Sequence, residues 1–177
     1  IDVNSSNLSG EFVPAKVAVE VWTLETPNQY FTTRKWAAPE NPLMTEKEFK
    51  ANFPLENYSD ENNVSNWKKL TKIVSKTIDT NTEKFIDVSK QKDLKQGNYF
   101  IKLTATDKYG KTVEEENYFR IIDANSKKPD TNTFFEVTDI KTSCEPGEKA
   151  SFLLSTNAEN VKVFYEIEKP NGGSVSE

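Results

Sequence analysis

The stretch from Gly97 to Ile122, GNYFIKLTATDKYGKTVEEENYFRII, limits the fold more than any other part of the chain. Tyr99, Ile101, Leu103 and Ala105 alternate with Phe100, Lys102, Thr104 and Thr106, the period-two pattern of a strand with one mainly buried face. Asp107-Lys108-Tyr109-Gly110 supplies turn residues, and Gly110 is free to take a positive φ. The run from Lys111 returns and ends in Phe119, Ile121 and Ile122, so the pattern predicts a β-hairpin. Nothing in it carries catalytic chemistry.

Around this hairpin the chain is strand-like and polar. Its 177 residues could make one domain or two. Only 35% are hydrophobic, but 11 Phe, 6 Tyr and 3 Trp supply a few large core side chains, which predicts folded β structure with long polar loops. A net charge of -5 with no basic stripe argues against a nucleic-acid partner. The absence of His removes the commonest general base and the commonest metal ligand together. A single cysteine, Cys144, excludes an internal disulfide and a cysteine-cluster zinc site. No run approaches the roughly 18 apolar residues of a membrane span, so no direct membrane insertion is expected. The opening IDVNSSNLSG has no charged-then-apolar signal segment, so the chain is expected to be a piece whose signal or anchor lies outside it.

In chain order, Val13, Ala15, Val17, Val19 and Val21 alternate with Lys16 and Glu20, predicting a strand from Phe12 to Leu24 with Pro14 near its start. An excursion rich in Pro and aromatic residues follows, with Tyr30, Phe31 and Trp36. Thr45 and Glu48 fit a capping box ahead of Phe49 and Phe53, which predicts a short helix from Glu46 to about Asn52, stopped before Pro54. Ser59 to Asn62 can start a second helical turn leading to Trp67. Leu70 to Asp79 suits either a helix or a strand; its β-rich composition and the turn at Asn81 favour a hairpin with Phe85, Ile86 and Val88. Residues 124–132 read as a linker. Beyond it come strands at Phe135 to Ile140, Phe152 to Leu154 and Val161 to Ile167, a type II turn at Pro146-Gly147, and a turn at Gly172-Gly173. Three strands are too few to close a sandwich.

Candidate chemistry is sparse. Cys144 lacks a base and reads as a small strand residue. Glu114 and Glu116 share a strand face about 7 Å apart, inside the range used for inverting glycoside hydrolysis, but an acidic hairpin arm usually faces water. Asp107 invites a calcium reading, yet an Asp bonded to its own turn explains it. Asp79, Asn81 and Glu83 lack the glycine of an EF-hand loop. Tyr30, Trp36, Tyr58 and Trp67 could form a partner or glycan contact, and Trp22, turned away from the valine face, needs a cover that the excursion carrying Trp36 could supply. The sequons at Asn4, Asn7, Asn57 and Asn63 read as products of an Asn- and Ser-rich composition.

The pieces GNYFIKLTATDKYGKTVEEENYFRI and FEVTDIKTSCEPGEKASFLLST resemble the macroglobulin-like domains of the bacterial alpha-2-macroglobulin family, in particular the large Bacteroidetes-type members. There a Gly-x-Tyr strand leading to an Ala-x-Asp-x-x-Gly turn closes one domain, and a Pro-Gly-Glu turn, here Pro146-Gly147-Glu148, separates the first two strands of the next. Arg34-Lys35-Trp36, Phe53-Pro54 and Tyr58 are similar to the long insertions of those proteins. The resemblance implies an immunoglobulin/fibronectin-like (macroglobulin-like) β-sandwich over residues 1–123 with a partly helical insertion at 25–70, and the N-terminal part of a second sandwich over 133–177. It also implies a periplasmic or cell-surface parent protein that traps or inhibits proteases, with other domains of that parent and the proteases it engages as partners. The family's reactive thioester motif, Cys-Gly-Glu-Gln, is absent, because Cys144 is followed by Glu145-Pro146-Gly147. No reactive residue, cofactor or metal is therefore carried over. The expected role is a non-enzymatic scaffold module, with an adhesin or glycan-binding module as the alternative; unprotected edges in the half-domain would permit a strand-edge dimer.

Overall fold

The computed structural model describes the whole chain except Thr33, Arg34, Trp36, Ala38, Asp93, Lys108, Lys127 and residues 130–132, 169–173 and 177. It is built of antiparallel sheets with little helix and divides into two compact units, Ile1–Asn132 and Thr133–Glu177.

In the first unit, β1 (Lys16–Leu24), β2 (Lys69–Asp79), β3 (Gly97–Thr106) and β4 (Thr112–Ile121) form one sheet in the order β2-β1-β3-β4. β3 and β4 are the expected hairpin, in register from Gly97 against Ile121 to Thr106 against Thr112. Gly110 closes the turn at φ 83°, and Asp107 Oδ1 accepts from the backbone N–H groups of Tyr109 and Lys111, both at 2.8 Å. β1 begins at Lys16, not Phe12. Asn7 and Ser5 hold the preceding residues in their own turn, accepting from Glu11 N–H and receiving Val13 N–H respectively, and Pro14 has no N–H for a ladder.

Val17, Val19 and Val21 of β1, Val74 and Ile78 of β2, and Tyr99 and Ile101 of β3 bury one face of the sheet. Side chains of this kind contribute about 1.5–3 kcal/mol each when fully buried. The facing layer comes from two distant segments. Val3 N–H donates to Lys84 O at 2.8 Å and Ile86 N–H to Ile1 O at 2.9 Å, with Asp2 bridged to Phe85, so that Val3 and Ile86 are buried against the valines.

This pairing corrects one expectation. Phe85, Ile86 and Val88 do not return on β2 as a hairpin; Phe85 and Ile86 pair with the start of the chain, and Val88 opens a 3-10 turn, Val88–Lys90. The fully buried Thr80 turns them away, its hydroxyl 2.7 Å from Ser5 Oγ and 2.9 Å from Ala15 N. The helical reading of Leu70 to Asp79 gives way to β2 for a related reason, since the stretch from Lys69 to Asp79 pairs with β1, with register shifts around Trp22. Lys69 and Leu70 thus belong to the sheet and not to the insertion.

The other face is aromatic at one end and charged at the other. Trp22, Phe100 and Tyr118 stand in a row, with ring centroids 5.5 and 5.4 Å apart. Phe100 is fully buried under Trp22, Tyr118 and the Lys69 ammonium, which lies 3.4 Å from its centroid. Beyond them, Lys72 pairs with Glu20, and Lys102 with Glu114 at 2.8 Å.

The second unit has β5 (Phe135–Lys141) paired with β6 (Ser151–Thr156), and β7 (Glu166–Glu168) paired with β8 (Ser174–Ser176). Gly147 takes φ 94° and Glu148 N–H bonds Glu145 O at 3.0 Å, as the expected turn requires. Among the described residues, the strand anticipated from Val161 to Ile167 is reduced to β7, whose partners are Ser174 to Ser176. The Gly172-Gly173 turn lies outside the described residues. None of the unit's residues whose exposure is described is buried.

Candidate functional site

The aromatic candidates lie on the segment between β1 and β2. The helix α1 (Glu46–Asn52) begins at the expected capping box: Thr45 Oγ1 accepts from Glu48 N–H, and Thr45 N–H donates back to the Glu48 carboxylate. The hydrogen bonds from Thr45 hold the Glu48 carboxyl below its usual range. One turn apart on this helix and its C-terminal cap, Phe49 and Phe53 bring their rings to 5.2 Å. Tyr58 joins them, 5.5 Å from Phe49, with its hydroxyl donating to Met44 O at 3.4 Å.

Glu61 organises the rest. Its carboxylate accepts from Tyr58 N–H at 3.3 Å and Ser59 N–H at 2.8 Å and lies 3.5 Å from Lys50 Nζ, while its backbone carbonyl accepts the Trp67 indole N–H at 2.9 Å. Burial pushes the Glu61 carboxyl up, but backbone N–H groups and the Lys50 charge outweigh it and hold the group below the usual range. The second helical turn is a 3-10 turn, Val64–Asn66, capped by Asn63. The excursion after β1 is tied down by Thr32 N–H on Leu55 O at 2.7 Å and Gln29 Nε2 on Pro54 O at 3.2 Å. Between these pieces lies an open groove of about 600 Å³, bordered by Pro27, Phe31 and Trp67 with the polar Glu25, Asn28 and Asn66.

Of the four aromatic residues singled out from the sequence, Trp67 borders this groove; its N–H is committed to Glu61, so a ligand could meet only the ring face. Tyr58 is spent on packing with Phe49, and Tyr30 is half-buried on the excursion. Trp36 lies outside the described residues. The cover expected for Trp22 from the stretch around Trp36 falls partly outside the described residues; among those described, the Trp22 ring meets Phe100 and the ammonium groups of Lys69 and Lys72, at 5.6 and 4.8 Å.

The other candidates have local duties. Glu114 is an exposed partner of Lys102, and the hydrogen bond that the Lys102 ammonium donates to it holds that ammonium above its usual range. Asp79 accepts from Asn81 N–H at 2.9 Å and caps its own turn. Cys144 is exposed. Among the described residues no group of three or more His, Cys, Asp or Glu side chains is placed to hold a metal ion.

Sequence reasoning missed Tyr99. Its hydroxyl donates to Lys95 O at 2.6 Å and receives Lys95 N–H at 3.1 Å, bonding back to the backbone four residues upstream at the start of β3. The spacing Leu94-x-x-Gly97-x-Tyr99 was the available signal. No protein-family model, curated protein or solved structure matches the chain.

Proposed function

We propose that this chain is a non-catalytic scaffold segment of an alpha-2-macroglobulin-like protein of the periplasm or cell surface, spacing and orienting domains around a bait region located elsewhere. The observation that carries the reading is the combination of strand order and Tyr99. The order β2-β1-β3-β4 corresponds to the C′-C-F-G sheet of immunoglobulin and fibronectin-type sandwiches, and a tyrosine at the start of strand F that bonds back to the upstream backbone is their tyrosine corner. On this reading, segments 1–3 and 84–88 belong to the opposing sheet, and the second unit is the beginning of another sandwich. A sequence without His favours the non-catalytic role, and so do carboxylates occupied with turns and ion pairs.

The test is limited proteolysis of the full-length parent protein with several proteases, sizing the products and asking whether the protease stays bound. Cleavage confined to one distant segment followed by retention is the expected result. Digestion without retention overturns the protease-trap role. A second reading, a glycan-binding module, draws on the Trp67 ring beside Phe31 in the open groove. It predicts glycan-array signals that Trp67→Ala removes.

A further inference from the structure

The sheet of the first unit ends in two edges of opposite charge. β2 carries Lys69, Lys72 and Lys76, of which Lys69 lies over Phe100 and Lys72 on Glu20, and β4 carries Glu114, Glu115 and Glu116, of which Glu114 is held by Lys102, so that Lys76 and Glu115 are the charges the proposed contact uses. The outer end of β4, from Thr112 to Asn117, is exposed, and so are Ser75, Lys76 and Thr77 of β2. Charges on edge strands normally block pairing with another chain. Here they block only two of the three pairings open to a second copy. β4 against β4 sets glutamates against glutamates, and β2 against β2 sets lysines against lysines, both unfavourable. β4 against β2 sets opposite charges together.

We propose that the β4 edge of one copy docks on the β2 edge of a second copy, continuing the sheet head to tail. The topology permits this without reorientation. Each neighbouring pair in β2-β1-β3-β4 is antiparallel, so β2 and β4 run in opposite directions. A second copy in the same orientation therefore meets β4 with an antiparallel β2 and keeps its apolar face on the same side.

Side-chain parity selects the register. Val113 and Glu115 lie opposite Ala105 and Leu103, on the face that buries Ile101, and Lys76 lies opposite Val19 on that same face. Setting Glu115 opposite Lys76 of the second copy brings Val113, 59% exposed, beside that copy's Ile78. Lys76 now pairs with Glu83, but both side chains are exposed and such a pair contributes little in water, so redirecting the ammonium is not prohibitive. Because the two edges differ, the contact is heterologous and does not close into a dimer by itself.

Sedimentation velocity on the 177-residue chain across concentration tests this. The expected result is an open series of dimer, trimer and larger species that high salt weakens. Glu115→Lys or Lys76→Glu alone weakens association roughly tenfold, and mixing these two variants, or combining both changes in one chain, restores it. Circular dichroism of each variant should match the parent, since both positions are exposed. A monomer at every concentration, a closed dimer, or association that the charge exchanges leave unchanged would overturn the proposal; the last result would assign association to the apolar surface of the second unit.

Discussion

The hairpins β3–β4 and β5–β6 are alike in design and opposite in outcome. Each alternates apolar and polar residues, and each places a glycine at positive φ in its turn, Gly110 in one and Gly147 in the other. Yet Tyr99, Phe100 and Ile101 are at most 7% exposed, while Phe135, Val137, Phe152 and Leu154, gathered on one face of β5–β6 by their register, are 43–55% exposed. The first hairpin has β1 alongside it and the layer of Val3 and Ile86 against it; among the described residues of the second unit nothing equivalent covers β5–β6. Alternation therefore specifies which face is to be buried, and only a facing layer buries it. A two-stranded ribbon alone is marginal in water.

The largest effect should come from separating the two units. Residues 1–132 alone are expected to unfold cooperatively in urea and give dispersed amide resonances, whereas residues 133–177 alone should give neither. A cooperative transition in the second piece would break the comparison. Truncating one ring in each hairpin sharpens it: Phe100→Ala should cost about 3–5 kcal/mol in urea unfolding, and Phe152→Ala no more than about 0.5 kcal/mol. Equal losses would show that the second hairpin has a core after all.

Tyr99→Phe is a smaller change, removing only the hydroxyl between Lys95 N–H and O, and about 0.5–1.5 kcal/mol should be lost with the fold retained. A neutral result would deprive the Tyr99 hydroxyl of its energetic role. Smallest is a pH effect outside both hairpins. Because Glu61 has its pKa lowered on folding, its contribution is present above the ordinary 4.5 and fades as pH falls through the lower folded value. The stability difference between the parent and Glu61→Gln should therefore shrink below pH 4.5; a difference unchanged down that range would mean that the carboxylate charge contributes nothing.

Local signals were legible where the physics was local. The capping box gave the helix Glu46–Asn52 with its bounds, period-two alternation gave β1 and β3, and the turn at Gly110 with the apolar end of the returning run gave β4. What failed was long-range. The turn after Asp79 looks like a hairpin turn, but Thr80 bonds to Ser5 and Ala15, far earlier in the chain, and sends Phe85 across to Asp2. The groove beside Trp67 was equally hidden, because it depends on Thr32 and Gln29 reaching the backbone of Leu55 and Pro54. The bond from the Tyr99 hydroxyl back to Lys95 is by contrast local, spanning four residues, and lies within a stretch whose alternation alone does not signal it.

The place of β1 in the sheet also bears on how the chain reaches this state. β1 is central, yet it is made first, and Val19 must wait for Lys76 on one side and Leu103 on the other. Closing such long loops comes before any reward from the contacts, which slows folding. β3 and β4 can meet early across a short turn and offer a template, but during synthesis the valines of β1 remain without neighbours until most of the first unit has left the ribosome. That interval, more than the finished sheet, is when this chain is most exposed to aggregation.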